Sequence, residues 1–178
     1  MIQLDGRAVS CADLHDIGHG AACLASADAR SAMAANAAAA PLGRDVLRAK
    51  RQWLIGPHAR NLEDDALARA FIIGHCAGVG DPLPRSIVRA TIAARANVLL
   101  QAVSGCRPAA VDALLALLDQ GVVPVVPSQG SVGAAGDLAP MAHIVRVACG
   151  WGPLPSDLPP FTPTPKEALA LINGVSLT

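Results

Sequence analysis

The chain has 178 residues, 52% of them hydrophobic, and carries 14 basic and 14 acidic side chains. This composition excludes a disordered chain and predicts a single globular domain over residues 1–178. The balanced charge argues against nucleic acid or an anionic membrane surface as a partner. Because no apolar run approaches the roughly 18 residues of a membrane span and no signal core is present, the sequence predicts a cytoplasmic protein.

Apolar periodicity, capping residues and helix breakers predict a mainly helical chain. The expected helices lie at residues 10–17, 62–77, 85–103, 109–120, 138–149 and 165–173. The alanine-rich segment 26–40 can be read as a closely packed helix or as a frayed one. Strand is expected only near the N-terminus, as a hairpin of residues 2–4 and 8–9 around Asp5-Gly6, and in the proline-rich segment 153–165.

Metal and disulfide sites are not expected. His15 and His19 share one helical face, but no third ligand lies close in sequence, so we interpret them as surface histidines. The five cysteines are scattered, and none forms a C-x-x-C pair, which favours reduced thiols. The basic residues between 42 and 60 are interpreted as a solvated, mobile connection rather than a binding patch.

The helix predicted to begin after Asn61, its expected N-cap, ends in the sequence GHCAGVGDPLP, which contains His75. Farther along, residues 129–143 read QGSVGAAGDLAPMAH. Its three glycines permit a tight backbone path, and Asp137 is placed to cap the helix that follows. Backbone N–H groups at such a helix start favour negative charge. Near the C-terminus, Thr164 begins a capping box, and the stretch EALALINGV, which starts within that box, contains Asn173.

The stretch GSVGA-x-GDLAP-x-AH resembles the motif of the aromatic amino acid lyase family, which includes the histidine and phenylalanine ammonia-lyases. GHCAGVG and EALALINGV resemble two further motifs of that family in the same order, so the clear match runs over about 61–174. The resemblance implies a helical N-terminal domain of the ammonia-lyase type, with the active-site glycine loop at a helix N-terminus. A phosphate-binding loop is the competing interpretation, but no Lys-Ser/Thr pair follows the glycines.

In that family an Ala-Ser-Gly triplet cyclises to the methylidene-imidazolone electrophile (MIO). The matching positions here are Ala134, Ala135 and Gly136. The ring's methylidene forms by loss of water from a β-hydroxyl, which alanine lacks, so we predict that no MIO forms. The resemblance also implies that His75 and Asn173 bind substrate. The family's Tyr-Gly-x-Asn-Thr-Gly-Phe-Gly loop has no match in residues 42–60, and the chain has no tyrosine.

These observations favour a catalytically inactive, truncated lyase-like protein. The family continues into a long helical bundle, which would cover the apolar helices 85–103 and 109–120. The sequence therefore predicts a homo-oligomer or a complex with a complementary lyase-family polypeptide, unless residues 27–40 seal this surface within the chain. One alternative is a fragment or Ser-to-Ala variant of a true ammonia-lyase, with an aromatic amino acid as ligand. Another is a small-anion binding module that uses the backbone between Gly130 and Gly136.

Overall fold

The fold is known from a computed structural model that describes residues 1–39, 46–131, 136–152, 161–174 and 176–177. It is mainly helical, as the sequence predicts. The elements in chain order are β1 (Ile2–Leu4), α1 (Cys11–Gly18), β2 (Cys23–Ala25), α2 (Ala27–Ala39), α3 (Val46–Ala49), α4 (Arg51–Leu54), a 3-10 helix (Pro57–Asn61), α5 (Asp64–Gly74), β3 (Val79–Pro82), α6 (Arg85–Leu99), α7 (Pro108–Asp119), β4 (Pro127–Gln129), α8 (Leu138–Ala148) and α9 (Pro165–Ile172).

The predicted capping box at Thr164 is present, since its Oγ1 accepts a hydrogen bond from the amide of Glu167 at the start of α9. A second capping box starts α1, where Ser10 Oγ accepts a hydrogen bond from the amide of Asp13. The expected cap at Asn61 is wrong, because Asn61 belongs to the preceding 3-10 helix and Glu63 occupies the N-cap of α5.

The predicted N-terminal hairpin is also wrong. Strand β1 pairs in parallel with β2, in the register Ile2 to Cys23, and α1 forms the crossover between them. The turn at Gly6 instead contacts α6, where the side chain of Asn97 accepts a hydrogen bond from the Gly6 amide and donates one to the carbonyl of Arg7. Parallel pairing needs such a crossover, which a local turn pattern does not reveal.

A second pairing was not expected from the sequence. Strands β3 and β4 run antiparallel, with Val79 opposite Gln129 and Pro82 opposite Pro127. They lie outside both regions where strand was predicted, and all four residues of β3 are exposed. Exposure on both faces removes the alternation of apolar and polar residues by which a strand is recognised. In the proline-rich segment 153–165, residues 153–160 lie outside the described part of the chain, and the described residues 161–164 form no strand.

The core lies among α5, α6, α7, α8 and α9. The leucines of α7 are all buried within the chain, although the sequence suggested that they need an external cover; they are Leu114, Leu115, Leu117 and Leu118. Part of that cover is α2, the alanine-rich segment, which is joined to α7 by an ion pair of Arg30 with Asp112. Near the end of α6, by contrast, Val98 and Val103 keep 43% and 78% of their surface exposed.

The basic segment after residue 45 has more structure than a mobile connection. It forms α3, α4 and the 3-10 helix, and Arg48 makes an ion pair with Asp64 at the start of α5. Arg51 donates to the carbonyl of Leu62. The segment is nevertheless solvated, since Trp53 is 92% exposed.

Among the described residues, no helix is long and apolar enough to cross a membrane. The same part of the chain contains no group of three or more His, Cys, Asp or Glu side chains arranged to hold a metal ion. All five cysteines are free thiols, of which Cys11 is exposed. Burial raises the pKa of Cys149 to about 12, with a smaller contribution from Glu167, so this thiol stays protonated.

Candidate functional site

The glycine loop is held at its C-terminal end by the turn that follows α9. Gly136 has a φ of +91°, and a Cβ built on it would lie 2.7 Å from the carbonyl oxygen of Gly174. The next amide, that of Asp137, donates a hydrogen bond of 2.8 Å to the same oxygen. Backbone therefore packs directly on backbone here, which only glycine permits.

Asp137 adds a second link at this end of the loop. It occupies the N-cap of α8, as predicted, but its side chain makes no capping hydrogen bond. One carboxyl oxygen instead accepts from the amide of Leu177 at 3.2 Å, and the residue is only 3% exposed. Asp137 thus ties the start of α8 to the chain beyond α9.

The N-terminal end of the loop lies against the GHCAGVG motif. A Cβ on Gly130 would be 3.0 Å from the Cα of Gly78 and 3.1 Å from the Cβ of Ala139. Gly78 in turn donates its amide hydrogen to Nε2 of His143 on α8, at 3.3 Å. We call the four glycines that hold the two ends of the loop the loop frame: Gly78, Gly130, Gly136 and Gly174.

His143, which closes the GDLAP-x-AH motif, was not assigned a role from the sequence but contacts the loop frame through Gly78. It is buried, with 8% of its surface exposed. Burial lowers the pKa of His143, and the nearby Arg146 lowers it further. Because Nε2 accepts the Gly78 hydrogen bond, the imidazole must be neutral to make this contact.

Arg95 of α6 supports the other side of the frame and was also missed. Its guanidinium donates to the carbonyl of Ala170 and, at 2.8 Å, to that of Asn173. It also lies so close to Gly174 that a Cβ there would collide with it. The signal in the sequence is a cation in the apolar register of α6, three residues after Ile92 and four before Leu99.

The two predicted substrate-binding residues lie near the frame. His75 caps α5 and is half-buried; its Nδ1 lies 2.7 Å from the carbonyl oxygen of Phe71, so Nδ1 is the donor. Nε2 of a neutral His75 is then an acceptor. Asn173 ends α9 with its side chain exposed, one residue before Gly174. Their roles toward a substrate stay predictions.

The comparisons with known proteins agree with this geometry. A family model described as aromatic amino acid lyase matches residues 56–178. The chain belongs to the aromatic amino acid lyase family. It is 46% identical over 131 residues to histidine ammonia-lyase of Anaeromyxobacter sp. (strain K), and 44% identical over 126 residues to that of Paracidovorax citrulli. These matches cover 62% and 63% of this chain, but only 26% and 25% of the relatives.

Solved structures of the family resemble the fold over nearly the whole chain. Histidine ammonia-lyase from Trypanosoma cruzi superposes with a TM-score of 0.80 at 30% identity, covering 99% of this chain and 38% of that one. Phenylalanine ammonia-lyase from the yeast Rhododporidium toruloides gives 0.76 at 22% identity, a likeness of fold. The chain therefore spans about a quarter of the length of its curated relatives and well under half of the solved ones.

The lyase family implies an MIO group, and the residues of this chain do not fit it. Ala134 and Ala135 lie outside the described residues, whereas Gly136 is held in the frame described above. The decisive point is chemical: the side chain at position 135 is a methyl group without the hydroxyl whose loss creates the methylidene.

Proposed function

We propose that this chain is a non-catalytic unit of the aromatic amino acid lyase fold that acts by associating with another polypeptide. The observation that carries the proposal is Ala135, which removes the hydroxyl needed for the family's electrophile. The glycines of the loop frame support it, because they keep the packing around the loop although the reactive residue is gone.

A second observation is independent of the loop. The chain contains no tyrosine, so the family's acid/base residue has no counterpart. The region where that residue would stand contains α3, α4 and the 3-10 helix, and its arginines make contacts around Asp64 and Leu62. A single Ser-to-Ala change in a true ammonia-lyase would not produce this second difference, which weakens the alternative of an inactivated enzyme.

The small-anion module is less well supported. The argument for it is the helix start after the glycine loop, where backbone N–H groups favour a bound negative charge. Asp137 already places a buried carboxyl group of the chain at that helix start. A second anion at the same position would be repelled by the carboxylate, so we favour association over anion binding.

The test of lost catalysis is an assay of the purified chain with histidine, phenylalanine and tyrosine. We expect no ammonia release above the uncatalysed background. Formation of the MIO group removes two molecules of water, one on ring closure and one from the β-hydroxyl, and Ala135 cannot supply the second. The intact mass should therefore not be lower by that of two waters. Histidine ammonia-lyase of Anaeromyxobacter sp. (strain K) serves as the positive control for the histidine assay. Turnover above background, or a mass lower by that of two waters, would refute the proposal.

The Ala135→Ser variant separates the two differences from the family. It restores the β-hydroxyl but not the tyrosine. Loss of an acid/base group typically costs about 10²–10⁴-fold in rate, so we expect this variant to stay far below the positive control. Full activity in Ala135→Ser would show that position 135 is the only obstacle and that the chain is an inactivated enzyme.

A further inference from the structure

An apolar groove lies between the end of α6 and α9, beside Asn173, the neighbour of Gly174 in the loop frame. It has a volume of about 400 Å³, and we call it the α6–α9 groove. Its apolar wall includes Val98, Val103 and Leu169. Val98 and Val103 are 43% and 78% exposed. Burying these apolar side chains against a partner would be favourable, because it removes apolar surface from water.

The charged residues of the groove are both cations. Arg95 and Lys166 line it, and no Asp or Glu does. Arg95 is only 5% exposed, and its hydrogen bonds go to the carbonyls of Ala170 and Asn173. Glu167, the nearest acidic residue in sequence to Lys166, is bonded to Arg107 instead. The groove is therefore positively charged, and no acidic residue lining it balances that charge.

We propose that the α6–α9 groove receives a helix of a lyase-type polypeptide, with an apolar face on Val98 and Val103 and a carboxylate beside Arg95 and Lys166. This rests on the proposed function, association with another polypeptide. A carboxylate would supply the missing counter-charge, and an apolar helix face would cover the valines.

The comparisons indicate where such a helix comes from. This chain superposes on 38% of the Trypanosoma cruzi enzyme, so the larger part of that enzyme lies outside the superposed unit. In a compact protein that remainder must pack against the matched unit. The α6–α9 groove is a surface of suitable chemistry for that contact.

Two other occupants fit less well. A second copy of this chain bound through the same groove would bring Arg95 and Lys166 of both copies together, because a two-fold interface apposes identical patches. Such like charges oppose association. A small carboxylate could satisfy the cations, but it would not cover Val103, which lies largely exposed beyond the end of α6.

The experiment is co-expression of the whole chain with the part of Anaeromyxobacter sp. (strain K) histidine ammonia-lyase that lies outside the matched segment. Complex formation is measured by size-exclusion chromatography with light scattering. As a positive control, the segment of the Anaeromyxobacter enzyme that matches this chain is co-expressed with the rest of that enzyme. Assembly of these two pieces shows that the rest of the enzyme is able to form a complex. We expect the chain to form an equimolar complex with it.

Two variants with matched controls locate the contact. Val98→Asp and Lys166→Glu should each weaken the complex at least tenfold. Val125→Asp places the same charge on an exposed valine outside the groove, and Lys50→Glu reverses the chain's other lysine; both should leave binding unchanged. Since an acidic residue in the first turn of α9 favours the helix, loss of binding in Lys166→Glu would not come from unfolding.

The possible results of this experiment test the groove and the association separately. Absence of a complex, while the positive control assembles, would refute both the groove and association with this kind of partner. A complex unaffected by Val98→Asp and Lys166→Glu would refute the groove but leave association intact. A homodimer of the chain that Val98→Asp dissociates would refute the proposed occupant. Ammonia release is a separate readout and tests only the loss of catalysis.

Discussion

The loop frame and the segment of residues 46–61 are held in place by different kinds of contact. In the frame, Gly130 packs on Gly78 and Gly136 on Gly174, with no room for a side chain. In the segment, surface contacts dominate; the side chains of the Arg48–Asp64 pair are 38% and 48% exposed. The family match begins at residue 56, so it includes the whole frame and omits most of the segment.

The two kinds of contact differ in how much substitution they tolerate. Backbone packed on backbone admits only glycine, whereas a surface ion pair contributes about 0–1 kcal/mol and can be replaced. Position 135 is neither a frame glycine nor a member of this ion pair. The alanine that we expect to prevent MIO formation is therefore compatible with an intact frame.

The largest expected effect comes from breaking the frame itself. Gly136→Ala should lower the free energy of unfolding by about 2–4 kcal/mol, because it adds a collision with the Gly174 backbone to the strain of a positive φ. Gly121→Ala is the matched control: φ is +66° there, but nothing lies within 4 Å of the added Cβ. It should cost only about 1–2 kcal/mol. Equal losses in urea denaturation would show that the frame contact is not tight.

An ion pair with a buried carboxylate at the start of α9 should rank second. Glu167 is 1% exposed and accepts from Arg107 Nη2 at 2.6 Å, so Glu167→Gln should cost about 2–3 kcal/mol; the half-exposed Arg107 keeps the loss below that of a fully buried pair. Asp112→Asn, in the exposed pair with Arg30, should cost less than about 1 kcal/mol. A reversed order of the two losses would contradict the assigned burial.

The Glu167 pair also predicts a pH dependence. Burial alone raises the pKa of Glu167, but hydrogen bonds from Arg107 and the Thr164 amide outweigh it and hold the pKa below its ordinary value of 4.5. Its stabilisation is thus present above about pH 4.5 and is lost as the pH falls through the lowered value. The gap between wild type and Glu167→Gln should shrink in acid; a gap that widens would contradict this sign.

The smallest effect concerns His143. Its pKa is lowered in the fold, so the unfolded chain binds more protons and stability falls as the pH drops below about 6.5, the ordinary value. The charged group that affects it is Arg146, which opposes protonation at every pH in this window. His143→Gln keeps an acceptor for the Gly78 amide but does not titrate. We expect a flatter profile between pH 7 and 5 for this variant; an unchanged profile would assign the effect elsewhere.

The sequence predicted the helices well because their signals are local. The box at Thr164 and the apolar periodicity of α6 lie within one segment each. Strand β3 was missed because all four of its residues are exposed, so it has no apolar face that a sequence pattern could show. The pairing of β1 with β2 was missed because it depends on a partner beyond a helix. Arg95 and His143 were overlooked for the same reason, since each acts on a residue more than 60 positions away.

The glycine contacts also determine when the loop can be positioned as the chain is synthesised. A carboxyl oxygen of Asp137 accepts a hydrogen bond from the amide of Leu177, which lies 40 positions later in the chain. Proteins emerge from the ribosome N-terminus first, so Gly78 and Gly130 can meet before the partners of Gly136 exist. The C-terminal end of the loop is thus fixed last, and amide protection at Asp137 in a nascent chain should appear only after Gly174 has emerged.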